Sequence, residues 1–232
     1  MLNGTGDATM PLHEWSRVPS NLYHNFRQGW SCRIAAALNK SLPIQYTALL
    51  EPSGGLYKGV NTDNLTEDQF YAGRANRIAI KHELRRTVAV IEIVSPGNIA
   101  TPVAFAEFVE KMLDHLRMGI HLLVIDPFPS HEWYPHGIHR AIWDEIETME
   151  FELPPPRDRL LASYVAGREK VAYVEPVKVG QDLPDMPLFV TETEHFAVPL
   201  GPTYESEWDV TPATMRKVVE TGILPTFDDD ET

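Results

Sequence analysis

Glu92 is the residue most suggestive of chemistry, because it interrupts an apolar, β-branched run at residues 88–94 (VAVIEIV). Burying an unpaired charge costs several kcal/mol, so a carboxylate in a buried strand needs a partner. A metal ion is one such partner, since open sheets place their binding sites at the carboxyl ends of central strands. The alternatives are an ion pair with Arg or Lys and a cap on the backbone of the turn at residues 95–98.

Lys111 is the second candidate. Glu107, Lys111 and His115 follow one another at intervals of four residues, which places them on one stripe of a helix. If that helix packs on the sheet, Lys111 can reach over the strand end that carries Glu92. The alternative is an exposed Glu–Lys pair, worth a few tenths of a kcal/mol.

Asp63 and three histidines complete the set of candidate ligands. Asp63 lies in the polar segment GVNTDNLT, and by itself it is typical of a turn. His131, His136 and His139 lie within nine residues of one another. A zinc or other transition-metal site is one interpretation of these histidines, and a loop in which they form hydrogen bonds is the other.

Composition excludes several classes of function. The chain has 232 residues and a formal net charge of −13, which argues against attraction of the whole surface to nucleic acid or anionic lipid. The single cysteine, Cys32, excludes an internal disulfide and a cysteine-based zinc site. Basic residues are dense only at 74–86, where Arg77 and Lys81 share a strand face. This strip favours a polyanion partner, or else it protects an edge strand by charge.

Targeting and nucleotide-binding motifs do not occur in the sequence. The first residues do not combine a cationic segment with an apolar one, and no uncharged apolar run reaches the ~18 residues that a membrane helix needs. These features predict a cytoplasmic protein without a membrane partner. Glycine-rich phosphate loops and the nucleophile elbow are absent too.

Apolar periodicity predicts the elements that position the candidate residues. Helices are expected at 20–42 and 101–119, and strands at 44–50, 77–82, 88–94 and 120–125. The run at 88–94 suits a central strand covered on both faces. Thr101 and Pro102 form an N-cap followed by proline at the first helical position. Residues 87–126 therefore predict a strand–helix–strand unit with parallel strands.

The C-terminal part reads as shorter elements separated by proline and glycine. A helix is expected at 137–146, strands at 160–165, 170–177 and 188–191 in a small antiparallel sheet, and a last helix at 211–221. The predicted organisation is an N-terminal extension (1–9), an α/β core (10–153), a β-rich extension packed on the core (154–225) and an acidic tail (226–232).

The segment from Glu92 to Pro96, the helix with Lys111 and the run GIHLLVIDP at 119–127 together resemble the core of Uma2-type proteins, which belong to the PD-(D/E)XK nuclease-like superfamily. Nearly the whole chain resembles a bacterial group known as domain of unknown function 4058. The segments that carry this second resemblance are MPLHEWSRVP (10–19), FELP (151–154), AYVEPV (172–177) and DLPDMPLF (182–189).

The resemblance implies an α/β or α+β fold with a mixed sheet, flanking helices and a site where an Asp and a Glu hold Mg²⁺ and a Lys assists. Glu92 matches the acid of the strand, and Lys111 matches the lysine that Uma2-type proteins carry on the following helix. Asp63 falls near the proline–aspartate element, although Thr62 stands where the proline would be. The strand motif places its own lysine at Val94, so this chain departs from the pattern there.

Two functions follow from the resemblance and its departures. The first is Mg²⁺-dependent phosphodiester hydrolysis by a nuclease-like enzyme, with Asp63 and Glu92 as metal ligands and Lys111 as the stabiliser of developing charge. The second is a catalytically degenerate relative that serves as a binding or assembly module. The acidic net charge disfavours nucleic acid as a partner, and a homo-oligomer or another protein partner is the further expectation.

Overall fold

The computed structural model describes residues 11–53, 66–74, 76–147 and 150–225. The predicted extension at 1–9, the acidic tail at 226–232 and Asp63 lie outside these residues. In chain order the elements are α1 (Ser20–Ser41), β1 (Tyr46–Pro52), α2 (Glu67–Gly73), β2 (Asn76–His82), β3 (Arg86–Ile93), α3 (Pro96–Ile99), α4 (Pro102–Arg117), β4 (His121–Asp126), α5 (Gly137–Trp143), β5 (Arg159–Ala166), β6 (Lys170–Val177), β7 (Met186–Phe189), β8 (His195–Val198), α6 (Leu200–Val210) and α7 (Ala213–Thr221).

Six strands form one mixed sheet in the order β1-β2-β3-β4-β5-β6. Strands β3 and β4 are parallel, and the other neighbouring pairs are antiparallel. Helix α4 connects β3 to β4, which confirms the strand–helix–strand unit predicted for residues 87–126. The fold is therefore α+β, with helices flanking a mixed sheet, and β7 and β8 pair separately as a two-stranded antiparallel sheet.

The central strands and α4 form where the sequence pattern predicts them. Residues 88–93 of β3 and all six residues of β4 are buried, as expected for apolar strands covered on both faces. Helix α4 begins where the Thr101 side chain accepts a hydrogen bond from the Ala104 backbone N–H, and Pro102 occupies its first turn. Its apolar stripe, which includes Phe108 and Met112, is buried.

The C-terminal part differs from the sequence prediction. Strands β5 and β6 extend the main sheet, so the separate antiparallel sheet is smaller than expected and consists of β7 and β8. Strand β8 and helices α2 and α6 had no prediction. The apolar residues of β5 predict a strand correctly, but which strand it pairs with depends on contacts distant in sequence.

Helix α1 covers the sheet beside β1 and β2 with an aromatic-rich face. Tyr23, Phe26 and Trp30 are almost fully buried along it. Tyr204 on α6 accepts a hydrogen bond from the indole N–H of Trp15, which ties the segment before α1 to the C-terminal helices. Within the described residues, none of the helices combines the length and apolar character needed to cross a bilayer.

Candidate functional site

Glu92, Lys111 and Ser53 meet at the end of β3 in a three-membered cluster, which we call the Glu92 centre. Lys111 Nζ lies 2.8 Å from Glu92 Oε1. The Ser53 hydroxyl donates to Glu92 Oε2 at 2.7 Å and accepts a hydrogen bond from Lys111 Nζ at 2.5 Å. The residue Glu92 is 1% exposed, so its carboxylate meets these groups away from bulk water.

Strand register and helix packing position this centre. Ile78 pairs with Ile91 in antiparallel strands, so the next residues, Arg77 and Glu92, lie opposite each other on one sheet face. Helix α4 crosses that same face and directs Lys111 to the carboxylate. Glu92 and Lys111, which the sequence places on different elements, are thus in direct contact.

A chain of polar contacts continues from Lys111 toward the sheet edge. His115 Nδ1 lies 2.6 Å from the Lys111 carbonyl oxygen, and His115 Nε2 lies 2.6 Å from Arg77 Nη1. Arg77 in turn donates to Glu51 at 3.3 Å, and Lys81 Nζ lies 2.7 Å from the same carboxylate. The predicted basic strip of Arg77 and Lys81 therefore exists, and it is continuous with the Glu92 centre.

The contacts of His115 determine its protonation. A carbonyl oxygen only accepts, so Nδ1 carries the proton; a guanidinium only donates, so Nε2 is bare. Burial lowers the pKa of His115 below its usual value; the hydrogen bond to the Lys111 carbonyl oxygen and the charge of Glu92 oppose this effect, and the charges of Arg77 and Lys111 add to it. Protonation of this imidazole would place a third positive charge between two cations.

We expect ¹H–¹⁵N correlation spectra to show the Nδ1–H tautomer of His115 at pH 7 and a titration midpoint below 6.5. Because the pKa is depressed in the folded state, the stability it contributes is present above pH 6.5 and is lost as the pH falls through the folded-state value. The His115→Gln variant assigns the resonance. An Nε2–H tautomer, or a midpoint above 6.5, would contradict the observed contacts.

Arg27 on α1 is a buried cation beside the Glu92 centre. The residue is 1% exposed, and its Nη2 donates to the Asn76 carbonyl oxygen at 3.3 Å. Within the described residues, its Nε and Nη1 atoms have no hydrogen-bond partner. Burial lowers the pKa of this guanidinium, and the nearby charges of Tyr23 and Glu92 oppose that effect.

The electrostatics of Glu92 are dominated by two opposing causes. Burial by itself would raise the pKa of the Glu92 carboxyl, but the charge and hydrogen bond of Lys111, the Ser53 hydroxyl and the charge of Arg27 together hold that pKa below its usual value. Burial also lowers the pKa of Lys111, against the attraction of Glu92. The carboxylate is therefore matched by cations within the protein itself.

Among the described residues, the groups in contact with the Glu92 carboxylate are an ammonium group and a hydroxyl. Within the described ranges, no group of three His, Cys, Asp or Glu side chains is close enough to hold a metal ion. The charges that lower the pKa of Glu92 come from Lys111 and Arg27, both cations. Only one of the two predicted ligands, Glu92, is described, because Asp63 lies outside the described residues.

The three histidines predicted as an alternative metal site do not come together. His131 and His136 are exposed, whereas His139 is buried on α5. His139 Nδ1 lies 3.0 Å from the Tyr164 hydroxyl, and burial lowers the pKa of this imidazole to about 4. His139 is thus part of the core, as in the interpretation that these histidines form hydrogen bonds.

Sequence reasoning missed Ser53, Arg27 and Asp126. Ser53 follows the edge strand β1 and Arg27 lies on α1, so neither residue is close to Glu92 in the sequence. Asp126 ends β4, is 2% exposed, and accepts a hydrogen bond from the Phe128 backbone N–H at 3.1 Å. Burial raises its pKa to about 7. The sequence signal for Asp126 was the same as for Glu92: an acid joined to a fully apolar strand.

These features define an α+β protein with a buried carboxylate–lysine centre at the end of a central parallel strand. No protein-family model, curated protein or solved structure matches the chain. The likeness to Uma2-type proteins and to domain of unknown function 4058 therefore stays a prediction from the residues quoted above.

Proposed function

We propose that this chain is a nuclease-like protein that binds a phosphodiester group at the Glu92 centre without hydrolysing it. The observation that carries the proposal is the excess of positive charge there. Arg77 and Lys81 share the carboxylate of Glu51, Lys111 pairs with Glu92, and the buried Arg27 adds a further positive charge. Guanidinium and ammonium groups are the usual partners of phosphate oxygens.

Lys111 and the two residues of the basic strip, Arg77 and Lys81, are partly accessible to water. The side chains of Lys111, Arg77 and Lys81 are 22%, 21% and 16% exposed, whereas Glu92 behind them is buried. A phosphate group could therefore contact the cations without displacing the carboxylate. The strip is local, which is the form that a nucleic-acid contact must take on a chain with a net charge of −13.

Hydrolysis is the less well supported function, for two reasons. A divalent cation at Glu92 would be repelled by the positive charges of Lys111 and Arg27, which already hold the pKa of that carboxyl below its usual value. The lysine position of the strand motif is also Val94, which is buried and apolar. Both features support the degenerate relative.

Mg²⁺-dependent phosphodiester hydrolysis is the second candidate, favoured by the convergence of Glu92 and Lys111. Ser53, which contacts both, precedes Asp63 by ten residues in the sequence. With Asp63 as the second ligand, a bound Mg²⁺ would polarise the phosphodiester and activate water. Lys111 would then stabilise the charge that develops on the phosphate.

Binding is tested with a fluorescein-labelled single-stranded DNA and a matched RNA, followed by fluorescence anisotropy. We expect Lys81→Gln combined with Arg77→Gln to weaken binding by about tenfold and to flatten its salt dependence, because two phosphate contacts are lost. The matched control is Lys217→Gln, which removes an exposed lysine from α7. Equal affinity of both variants, or no binding by the parent protein, would overturn the proposal.

Mg²⁺ separates the two candidates. A ligand that binds the folded state alone raises the melting temperature by mass action. If the degenerate relative is correct, millimolar Mg²⁺ leaves the melting temperature unchanged and the labelled DNA stays intact. A rise that Glu92→Gln and Asp63→Asn each abolish, together with cleavage of the DNA, would establish the hydrolytic enzyme instead.

The remaining expectations stand as predictions from the sequence. They are the cytoplasmic location and association with a second copy or another protein. Size-exclusion chromatography with light scattering tests the association directly.

A further inference from the structure

A cavity of about 490 Å³ lies beyond the carboxyl ends of the parallel strands β3 and β4. It is distinct from the Glu92 centre, since Glu92, Lys111 and Ser53 do not line it. Segments that follow β3 and β4 form part of its wall, and the start of α1 and the start of α2 form the rest. Open sheets bind ligands at such strand ends, and the volume falls within the ~300–1,000 Å³ of small-molecule sites.

Part of the lining is aromatic. Trp15, Phe128 and Tyr134 are 1%, 3% and 4% exposed, so their rings are anchored in the core. Trp133 and His131 complete the wall nearer to solvent, with ring centroids 3.6 Å apart. Aromatic faces carry negative potential and attract cations as well as flat apolar groups.

The lining charges are negative. Glu67 and Asp68 of α2 line the cavity, and none of its described lining residues is Lys or Arg. The backbone of α2 packs closely against α3, the short helix that follows β3. The approach is so close that a Cβ added at Gly97 would lie 2.2 Å from the Asp68 carbonyl oxygen. The Ser20 hydroxyl donates a hydrogen bond to the Asp68 carboxylate, which fixes its direction.

One polar group in the wall has an unmet hydrogen bond. The Nε1 atom of Trp133 is buried and has no acceptor among the described residues. A buried N–H without an acceptor costs about 1–3 kcal/mol. Because this atom is not exposed to the cavity, the carboxylates and the aromatic wall, rather than the indole N–H, define the ligand.

We propose that this cavity binds a small organic cation, an amine attached to an aromatic or apolar body. The ammonium group lies at Glu67 and Asp68, and the body packs against Trp133 and His131, the rings nearer to solvent. Neutral ligands of the same shape lose the charge contacts, and anionic ones are repelled. The site makes no use of phosphate chemistry, so it does not depend on the function proposed for the Glu92 centre.

The test uses three probes of the same shape and different charge: 2-phenylethylamine, 2-phenylethanol and phenylacetate. Isothermal titration calorimetry at pH 7 should show the amine binding about tenfold more tightly than the alcohol, and phenylacetate not binding. Equal binding of amine and alcohol would show an apolar site only. Binding of phenylacetate, or no binding of the amine, would overturn the proposal.

Variants place the binding in this cavity. Glu67→Gln with Asp68→Asn should reduce the preference for the amine over the alcohol to about twofold, while the alcohol still binds. Asp209→Asn, an exposed acid on α6, is the matched control and should leave the preference unchanged. Unchanged selectivity in the double variant would overturn the proposal. Melting curves confirm that each variant is folded.

Discussion

Lys111→Met lowers the free energy of unfolding by about 3–5 kcal/mol at pH 7, because it leaves Glu92 charged and buried without its main partner. The ion pair spans 2.8 Å, and Glu92 is 1% exposed. Urea denaturation measures the change. Arg27 also acts on Glu92, so its residual attraction places the cost toward the lower end of that range.

Two variants make this result specific. Arg117→Met, on the same helix, removes a cation that is 56% exposed and paired with Glu110 and Asp114, so it should leave the free energy of unfolding nearly unchanged. Glu92→Gln combined with Lys111→Met should recover much of the loss, because the buried charge is gone. Similar costs for Lys111→Met and Arg117→Met would show that the Glu92 centre is solvated.

The pH dependence of the same pair has a definite sign. The pKa of Glu92 is lower in the folded state than its usual value of 4.5. The stability that the carboxylate contributes is therefore present above about pH 4.5 and is lost as the pH falls through the folded-state pKa. In Lys111→Met this acid-induced loss should be reduced, because the main cause of the depressed pKa has been removed.

In contrast to Lys111→Met, Asp126→Asn raises the free energy of unfolding, by about 4 kcal/mol at pH 8. Burial raises the pKa of Asp126 from 3.8 to about 7. Between these values the folded state holds a proton that the unfolded state has released, so the stability of the parent protein falls as the pH rises. Asparagine keeps the acceptor for the Phe128 N–H and carries no charge.

The pH at which the gain appears is the decisive measurement. At pH 4 the parent carboxyl is largely neutral in the folded state, so the two proteins should differ little. The advantage of Asp126→Asn should grow from pH 4 to pH 7 and then level off. Asp209→Asn, an exposed substitution of the same kind, should change stability by less than about 0.5 kcal/mol throughout. A difference that does not vary with pH would show that Asp126 is not buried as a neutral acid.

The two proposed sites lie near the same end of the central strands but are lined by different residues. Tyr23 lies between them: its hydroxyl donates to the Val94 carbonyl oxygen at 2.7 Å, just beyond Glu92. Its ring contacts Trp15 and Phe128, which line the cavity, with centroids 5.2 and 4.9 Å apart. The effect of a substitution at one site can therefore be measured without changing the residues of the other site, provided that Tyr23 is not substituted.

Local patterns predicted the elements that carry the Glu92 centre. Each of these patterns involves residues that are close together in the sequence: the β-branched run at 88–94, the cap at Thr101 and the apolar stripe of α4. The sequence predicted that Lys111 can reach Glu92 if the helix after the strand packs on the sheet, and the structure shows this contact. These predictions were confirmed because connection and packing are nearly fixed for a parallel crossover.

Contacts between distant segments could not be predicted in the same way. Ser53 reaches Glu92 only because β1, β2 and β3 pair in one register, and a shift by one residue would turn Glu92 to the opposite face. The composition of strands β5 and β6 is compatible both with a separate sheet and with an extension of the main sheet. Which of the two forms depends on the strands with which they exchange hydrogen bonds, and the local sequence does not specify those strands.

The amino-acid sequence by itself determined that a carboxylate would lie in an apolar central strand, and that a helix with a lysine would follow it. The tertiary structure decided how that charge is compensated: Lys111, Ser53 and Arg27 come from three separate segments, with Ser53 donating a hydrogen bond to the carboxylate and Lys111 and Arg27 supplying positive charge. The physical reason is that hydrophobic periodicity is a short-range property of the chain, whereas the electrostatic environment of a buried group is the sum over every element packed against it.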